Sequence, residues 1–547
     1  MSTPSNARAV AGAPSEWGAE ALRSALQERF GHPDFRRGQL GVIQSVLTGR
    51  PTLAVMPTGS GKSLCYQLPS LLLPGVTLVV SPLVALMKDQ VDQLRQRGIP
   101  AAFINSSQSE ADRLVTEKEV AAGRLKLVYV APERFRSAAF RRALTQVQVS
   151  LLAIDEAHCI SEWGHSFRPD YERLGEAAAE LRAPRLLALT ATATRDVRAD
   201  IVRALRLRNP AVVVTGFDRP NIHLEVHELA REAEQRDTMV AAVRAFRPAI
   251  VYTATRLQAT SLARLLIMND IRAEPYHAGL ETKVRERTQE RFCRDDIDAV
   301  TATNAFGLGI DKPDVRLVLH CEMPRSVESY YQEIGRAGRD GRAAYAGLLY
   351  RPGDLFLMRR ILNFGAPAPE VVAALFKTLD ASREPLPQQR LAQNLPKGAN
   401  GNQLNAALAF LESVGLVQRQ FATGAHEEIA RGTNVYAVVP GRKLSDENLN
   451  RLRVRSFRDR QRQEHMLALA RQETCRRAAL LRELGEPTAA ASCQACDVCV
   501  GARLKAIRSR LPGALVRARA AWDMSVPAGT FPVPRKSTAS SPEAGPV

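Results

Sequence analysis

The chain has 547 residues, more than one hydrophobic core ordinarily serves, so three or four domains are expected. Hydrophobic residues make up 45% and charged residues 24%, which excludes a wholly disordered or collagen-like protein. With 75 basic against 57 acidic residues the formal charge is +18, a balance that favours polyanionic partners, although a solvated basic surface would give the same sum.

Residues Met1 to Gly18 carry no basic patch followed by an apolar core, so no secretory signal is expected, and 1–20 read as a disordered N-terminus. From Ala21 to Leu205 short apolar runs (Thr52 to Val55, Leu78 to Val80, Leu127 to Val130, Leu151 to Ile154, Leu186 to Leu189) alternate with helical patterns, as in a parallel sheet with crossover helices. The uncharged run Leu68 to Met87 is long enough to span a bilayer, but Pro69, Pro74, Gly75 and Pro82 split it into a helix end, a turn and a short buried strand. A second strand series follows at Ala249 to Tyr252, Asp298 to Ala302, Leu317 to Leu319 and Ala346 to Leu349. The fold class is therefore α/β: two tandem parallel-sheet lobes, 21–215 and 216–352, with the chain crossing between them around Thr215 to Pro220.

Beyond Pro352 the pattern changes. Val371 to Leu379 and Gln403 to Val414 read as helices, and Gly415 to Gln420 with Val435 to Val439 as a strand pair, giving a winged-helix-like segment at 353–440 with a wing between Gln418 and Val438. Leu444 to Leu484 reads as one long charged helical stretch within a helical, cysteine-bearing module at 441–500. The basic, then Pro/Ser-rich segment 501–547 reads as a largely disordered tail.

The loop Met56-Pro-Thr-Gly-Ser-Gly-Lys-Ser63 follows a predicted strand and opens a predicted helix, the context a phosphate-binding loop requires. Thr58, Gly59, Ser60 and Gly61 would let backbone N–H groups converge on phosphate, Lys62 would add a charge on the terminal phosphates, and Ser63 would offer its hydroxyl to Mg²⁺. Asp155-Glu-Ala-His158 ends an apolar strand, at the sheet edge where α/β proteins bind ligands. Asp155 is expected to hold Mg²⁺ and Glu156 to orient and deprotonate water. In the second lobe, Gln332-Glu-Ile-Gly-Arg-Ala-Gly-Arg-Asp-Gly341 places Arg336 and Arg339 three apart, which predicts one helical face reaching a γ-phosphate on the other lobe.

Three stretches carry a family resemblance: Phe30-Gly-His-Pro-Asp-Phe-Arg-Arg-Gly-Gln39, the loop continuing as Leu64-Cys-Tyr-Gln-Leu-Pro69, and Cys159-Ile-Ser-Glu-Trp-Gly-His-Ser-Phe-Arg-Pro-Asp-Tyr171. Together they resemble the RecQ DNA helicases of superfamily 2, over roughly Leu22 to Tyr350. The resemblance implies two RecA-like lobes, adenine recognition by Gln39 and Arg36 with His32 at a stacking position, and single-stranded DNA sensing by Trp163, Phe167 and Arg168. It also implies 3′-to-5′ movement on single-stranded and forked DNA in repair or recombination, and a cytoplasmic protein, nucleoid-associated in a bacterium.

Cys493, Cys496 and Cys499 at two-residue intervals, with Cys475 upstream on a helix, can surround one tetrahedral Zn²⁺; disulfides or unrelated thiols are the alternatives. All four fit the RecQ zinc module. Two departures stand out: the winged-helix-like segment precedes the cysteines instead of following them, and only the basic tail is read after Cys499. The cofactor set expected is ATP, Mg²⁺ and Zn²⁺, with no membrane partner. An RNA helicase built on the same motor, or a zinc-stabilised winged-helix regulator with a vestigial motor, would share some of these motifs.

Overall fold

The computed structural model describes residues 17–500 apart from 83, 106–107, 137, 162–168, 173, 182, 308–311, 356–367, 383, 422–433 and 487–491. In the first lobe, strands β1 (Thr52–Val55), β2 (Val76–Val80), β3 (Ala101–Ile104), β4 (Leu127–Val130), β5 (Val149–Ile154), β6 (Leu186–Thr190) and β7 (Ala211–Val214) form a parallel sheet in the order β3-β4-β2-β5-β6-β1-β7. Strands β1, β2, β4 and β5 are buried at every position, because helices cover both faces of the sheet, and this explains their unbroken apolar runs. The uncharged run Leu68 to Met87 is divided as expected between the helix Leu64–Leu72, β2 and the helix Val84–Gln96.

The second lobe repeats the plan with β8 (Ile222–Glu228), β9 (Ala249–Tyr252), β10 (Ala273–Tyr276), β11 (Ala299–Ala302), β12 (Leu317–His320) and β13 (Ala344–Tyr350), all parallel in the order β10-β11-β9-β12-β13-β8. Between β7 and β8 the chain crosses from one sheet to the other in the seven residues Thr215 to Asn221. Strands β3, β7, β8 and β10 escaped the sequence reading. β7, β8 and β10 are edge strands with half-exposed or polar positions, such as Glu274-Pro275 within β10 and His223, Glu225 and His227 within β8.

The helices Pro369–Asp380, Gln388–Gln393 and Gly401–Ser413 and the antiparallel strands β14 (Leu386–Pro387), β15 (Val417–Phe421) and β16 (Asn434–Val438) alternate in winged-helix order around their own core. Asn400 and Gln403 form a capping box that starts Gly401–Ser413. The wing tip lies outside the described residues.

Two expectations are corrected here. The stretch Leu444 to Leu484 is two helices, Asp446–Arg471 and Arg476–Glu483, and Cys475 caps the second instead of lying within a helix, its Sγ accepting from the Ala478 N–H at 3.5 Å. The N-terminal stretch expected to lack structure already holds the first helix from Ala19, anchored by Trp17, whose carbonyl accepts from Gln44 Nε2 at 3.2 Å. The tail 501–547 lies outside the described residues.

The long helix Asp446–Arg471 joins two bodies: Leu452 is buried in the winged-helix core, whereas Met466, Leu469 and Ala470 share a core with lobe 2. No helix of the described residues is long and apolar enough to cross a membrane.

Candidate active site and metal centre

The loop from Met56 to Ser63 leaves the C-terminal end of β1 and enters the helix Leu64–Leu72, so its N–H groups gather at a helix N-terminus. Gly61 sits at φ +74°, a left-handed backbone that other residues rarely adopt, so the turn favours glycine. Gln39 is buried and donates to the carbonyls of Ser60 (2.9 Å) and Gly61 (3.0 Å), while Arg36 Nη1 donates to the Gly59 carbonyl at 2.5 Å. The two residues expected at adenine therefore brace the phosphate loop; His32 is exposed beside them.

Lys62 Nζ donates to the Met56 carbonyl at 3.3 Å, and burial pulls its ammonium below the usual lysine range while the Glu156 and Asp155 carboxylates oppose that. Asp155, at the end of β5, is buried; burial and then the neighbouring Glu156 push its carboxyl well above the usual range, with Lys62 holding it down. Its carboxylate accepts from the Glu156 N–H at 3.0 Å and its carbonyl from the Tyr171 hydroxyl at 3.1 Å. Glu156 adopts a left-handed conformation (φ 48°), an uncommon state for a non-glycine residue that turns the chain sharply after the strand. His158 Nδ1 lies 3.3 Å from Glu156 Oε2 and 2.9 Å from Thr190 Oγ1, tying the end of β5 to the end of β6.

From lobe 2 the helix Val327–Ile334 stops before the arginines. Gly335 to Asp340 are turns, and Gly338 has φ +55°, a backbone that cannot continue a helix, so Arg336 and Arg339 do not share a helical face. They diverge instead. Arg336 is buried and donates to the Gly307 carbonyl, whereas the Arg339 stem reaches across the cleft to within 3.3 Å of where a Cβ on Gly59 would lie. Its charge also bears on Lys62.

Ser60 Oγ and Arg336 Nε are buried and have no hydrogen-bond partner among the described residues. An anionic oxygen would satisfy either donor, and a divalent cation beside Asp155 and Ser63 would relieve the crowding of the two carboxylates, so the residues fit a Mg²⁺-nucleotide. Trp163, Phe167 and Arg168 lie outside the described residues.

Two residues were missed. Arg219, in the crossing segment, donates through Nη1 to the carbonyls of Thr58 and Gly335 (both 3.1 Å) and through Nη2 to those of Ala337 and Gly338 (both 2.9 Å). Asn221 Nδ2 donates to the Gly338 and Arg342 carbonyls, both at 2.9 Å. A lone arginine ahead of a proline matches no motif; only the contact reveals it.

The ligand atoms of Cys475, Cys493, Cys496 and Cys499 all lie within 4.8 Å of one another, the one such group among the described residues. A tetrahedral site with Zn–S bonds of about 2.3 Å needs sulfurs about 3.8 Å apart, so the cluster fits zinc. A hydrogen bond between Cys493 and Cys496 lowers the Cys496 thiol and raises that of Cys493. It is fastened to the outer edge of β8. Leu224 N–H donates to the Ala495 carbonyl at 3.1 Å, Val226 N–H to Asp497 Oδ2 at 3.1 Å, and Arg476 Nε to Asp497 Oδ1 at 2.5 Å.

The DEAD/DEAH box helicase family matches residues 36–200, the helicase conserved C-terminal domain 234–341, and the RecQ zinc-binding family 442–500. The chain is 46% identical over 339 residues to the ATP-dependent DNA helicase RecQ of Haemophilus influenzae, covering 62% of this chain and 55% of that protein. It is 42% identical over 366 residues to the probable ATP-dependent DNA helicase RecS of Bacillus subtilis, covering 66% and 73%. It spans about half the length of the RecQ proteins of Haemophilus influenzae and Pasteurella multocida, 55% and 54%. Among solved structures, Mycobacterium smegmatis helicase Lhr bound to single-stranded DNA and AMP-PNP shares the fold, with a TM-score of 0.51 at 21% identity over 80% of this chain and 61% of that one. The three matched families, the identity to RecQ and RecS, and a four-cysteine cluster on a two-lobed α/β fold lead to one conclusion: the chain belongs to the RecQ family of superfamily 2 helicases.

Proposed function

We propose that the protein is an ATP-driven DNA helicase that hydrolyses ATP in the cleft between its lobes, moves 3′ to 5′ along single-stranded DNA and separates forked duplexes inside the cell, in repair or recombination. The observation that carries this reading is the apposition across one cleft of Lys62, Asp155 and Glu156 from lobe 1 and Arg339 from lobe 2. Gln39, Arg36 and His32 would face the base, and Thr58 to Ser63 would cradle the phosphates. Ser63 and Asp155 would hold Mg²⁺, which when bound draws negative charge off the phosphate oxygens. Glu156 is placed one residue beyond Asp155 by its left-handed turn, and its carboxylate orients the attacking water and takes its proton. Arg339 and Arg336 stabilise charge on the transferred group only while the lobes are closed, so hydrolysis weakens closure and each turnover becomes a lobe movement. Trp163, Phe167 and Arg168, which follow the acidic motif directly in sequence, would stack on bases and hold phosphate.

The division into a motor (21–215 and 216–352), a winged-helix segment (353–440) and a zinc module (441–500) is part of the same proposal. Strand displacement tests it. A fluorescent duplex with a 3′ single-stranded tail should be unwound with ATP and Mg²⁺, and the same duplex with only a 5′ tail should not; unwinding of neither sinks the reading, and unwinding from the 5′ tail alone reverses the direction.

A further inference from the structure

Arg219 is the one residue of the crossing segment whose side chain is seen to hydrogen-bond to both the phosphate loop and the arginine loop among the described residues. Of its four carbonyl partners, Thr58 belongs to the phosphate loop of lobe 1, whereas Gly335, Ala337 and Gly338 belong to the arginine loop of lobe 2. We propose that Arg219 is a positioning residue, a latch that sets Arg336 and Arg339 against the phosphate loop, and that the zinc module holds this latch from behind. The proposal rests on the reading of the cleft as an ATP site.

The asymmetry of the bonds gives the latch its direction. Three acceptors are fixed within lobe 2, so the guanidinium stays with the arginine loop when the cleft opens, and only the bond to the Thr58 carbonyl is made and broken. A planar fork binds four carbonyls at once only when Thr58 stands at one distance and angle from the arginine loop; an ammonium has no such geometry. Thr58 immediately precedes Gly59, on which the Arg339 stem rests, so the same contact that Arg219 makes fixes the reach of Arg339.

The linker backbone on either side of Arg219 is clamped. Phe217 N–H donates to Glu486 Oε2 at 2.5 Å and its carbonyl accepts from the Tyr331 hydroxyl at 2.8 Å. Arg477, buried in the helix that Cys475 caps, donates to Asp218 Oδ1 at 2.8 Å, to the Arg219 carbonyl at 2.5 Å and to the Ile222 carbonyl. Pro220 then fixes φ at the next position. A single residue, Arg476, separates the candidate zinc ligand Cys475 from Arg477, the side chain that grips the linker, and that linker grips the phosphate loop.

The test compares wild type, Arg219→Ala and Arg219→Lys in the full chain by kcat for single-stranded-DNA-stimulated ATP hydrolysis, Kd for a fluorescent ATP analogue, and Tm. Arg219→Ala should lower kcat on the order of 10- to 100-fold, as expected when catalytic groups are misplaced by about an ångström, with Kd changed by no more than about threefold and Tm nearly kept. Arg219→Lys should recover part of kcat, and Arg477→Lys, which leaves Arg219 in place, should lower kcat in the same direction. Retained kcat in Arg219→Ala overturns the latch, as does a loss in which kcat and Tm fall and Kd rises together in both Arg219 variants, since that would be a structural role. A wild-type chain without ATP hydrolysis would overturn the cleft reading itself, and the latch with it; wild-type hydrolysis that survives Arg219→Ala removes only the latch.

Discussion

Removing zinc should melt the cysteine module while leaving the motor lobes folded, and the structure gives this a residue-level signature. Four-thiolate zinc binding is worth about 10–16 kcal/mol in small modules, comparable to the roughly 5–15 kcal/mol that separates a whole domain from its unfolded state. Among the described residues the module has no core of its own: its helix Arg476–Glu483 and the cysteine knuckle share one with lobe 2 through Leu480, Leu481, Leu484 and Cys496. Strand β8, by contrast, pairs with β13 from Ile222 to Glu228 and stays in the sheet without the module. Its amides alternate. Leu229 N–H, one residue past the strand, donates inward to the Tyr350 carbonyl, and Leu224 and Val226 N–H donate outward to Ala495 and Asp497. Each outward bond contributes about 1 kcal/mol net, and more for the one to a carboxylate. Hydrogen exchange on the full chain, with and without chelator, should therefore show the Leu224 and Val226 amides losing protection while the inward-facing amides of β8 keep theirs. Cys496→Ser should reproduce the pattern with lowered zinc content. Unchanged protection at Leu224 and Val226 after verified zinc loss, or uniform loss along β8, would refute the reasoning.

Lys62→Ala and Glu156→Gln should each lower ATP turnover on the order of 100-fold or more, but only Glu156→Gln should still bind a fluorescent ATP analogue, since it keeps the charge on the phosphates; near-wild-type turnover in either removes the assigned centre. Trp163→Ala should leave basal hydrolysis in place and weaken its stimulation by single-stranded DNA, whereas a lowered Tm would mark Trp163 as a core residue instead. Glu225, fully buried, is opposed by burial but held down to about 2 by hydrogen bonds from His223, His227 and Tyr345. Because its folded value lies below the unfolded one near 4.5, its contribution of about 3 kcal/mol is complete above that pH and is lost as pH falls towards 2. In denaturant titrations the stability gap between wild type and Glu225→Gln should be constant near neutrality and narrow below about pH 4.5; a gap that widens in acid contradicts the assignment.

The central strands and the phosphate loop were legible because each is a local pattern: an apolar run buried on both faces, or a glycine-bearing turn between a strand and a helix. The cysteine set was legible from spacing. Edge strands were not, since β8 and β10 carry His223, Glu225, His227 and Glu274 at positions whose partners lie far away in the chain. The arginine pair misled for a related reason: three-residue spacing suggests a helix, but Gly335 and Gly338 end it, sending Arg336 to Gly307 and Arg339 to Gly59. The break before Cys475 and the reach of Arg219 and Arg477 are tertiary facts, and no periodicity encodes them.

The central claim, that this cleft converts ATP hydrolysis into movement on DNA, is tested most directly by ATP turnover of the wild-type chain and of Glu156→Gln, each without nucleic acid, with single-stranded DNA and with single-stranded RNA. Wild-type turnover should rise with DNA and much less with RNA, and Glu156→Gln should turn over in none of the three conditions; turnover indifferent to DNA, stimulated only by RNA, or undiminished in Glu156→Gln would contradict the account.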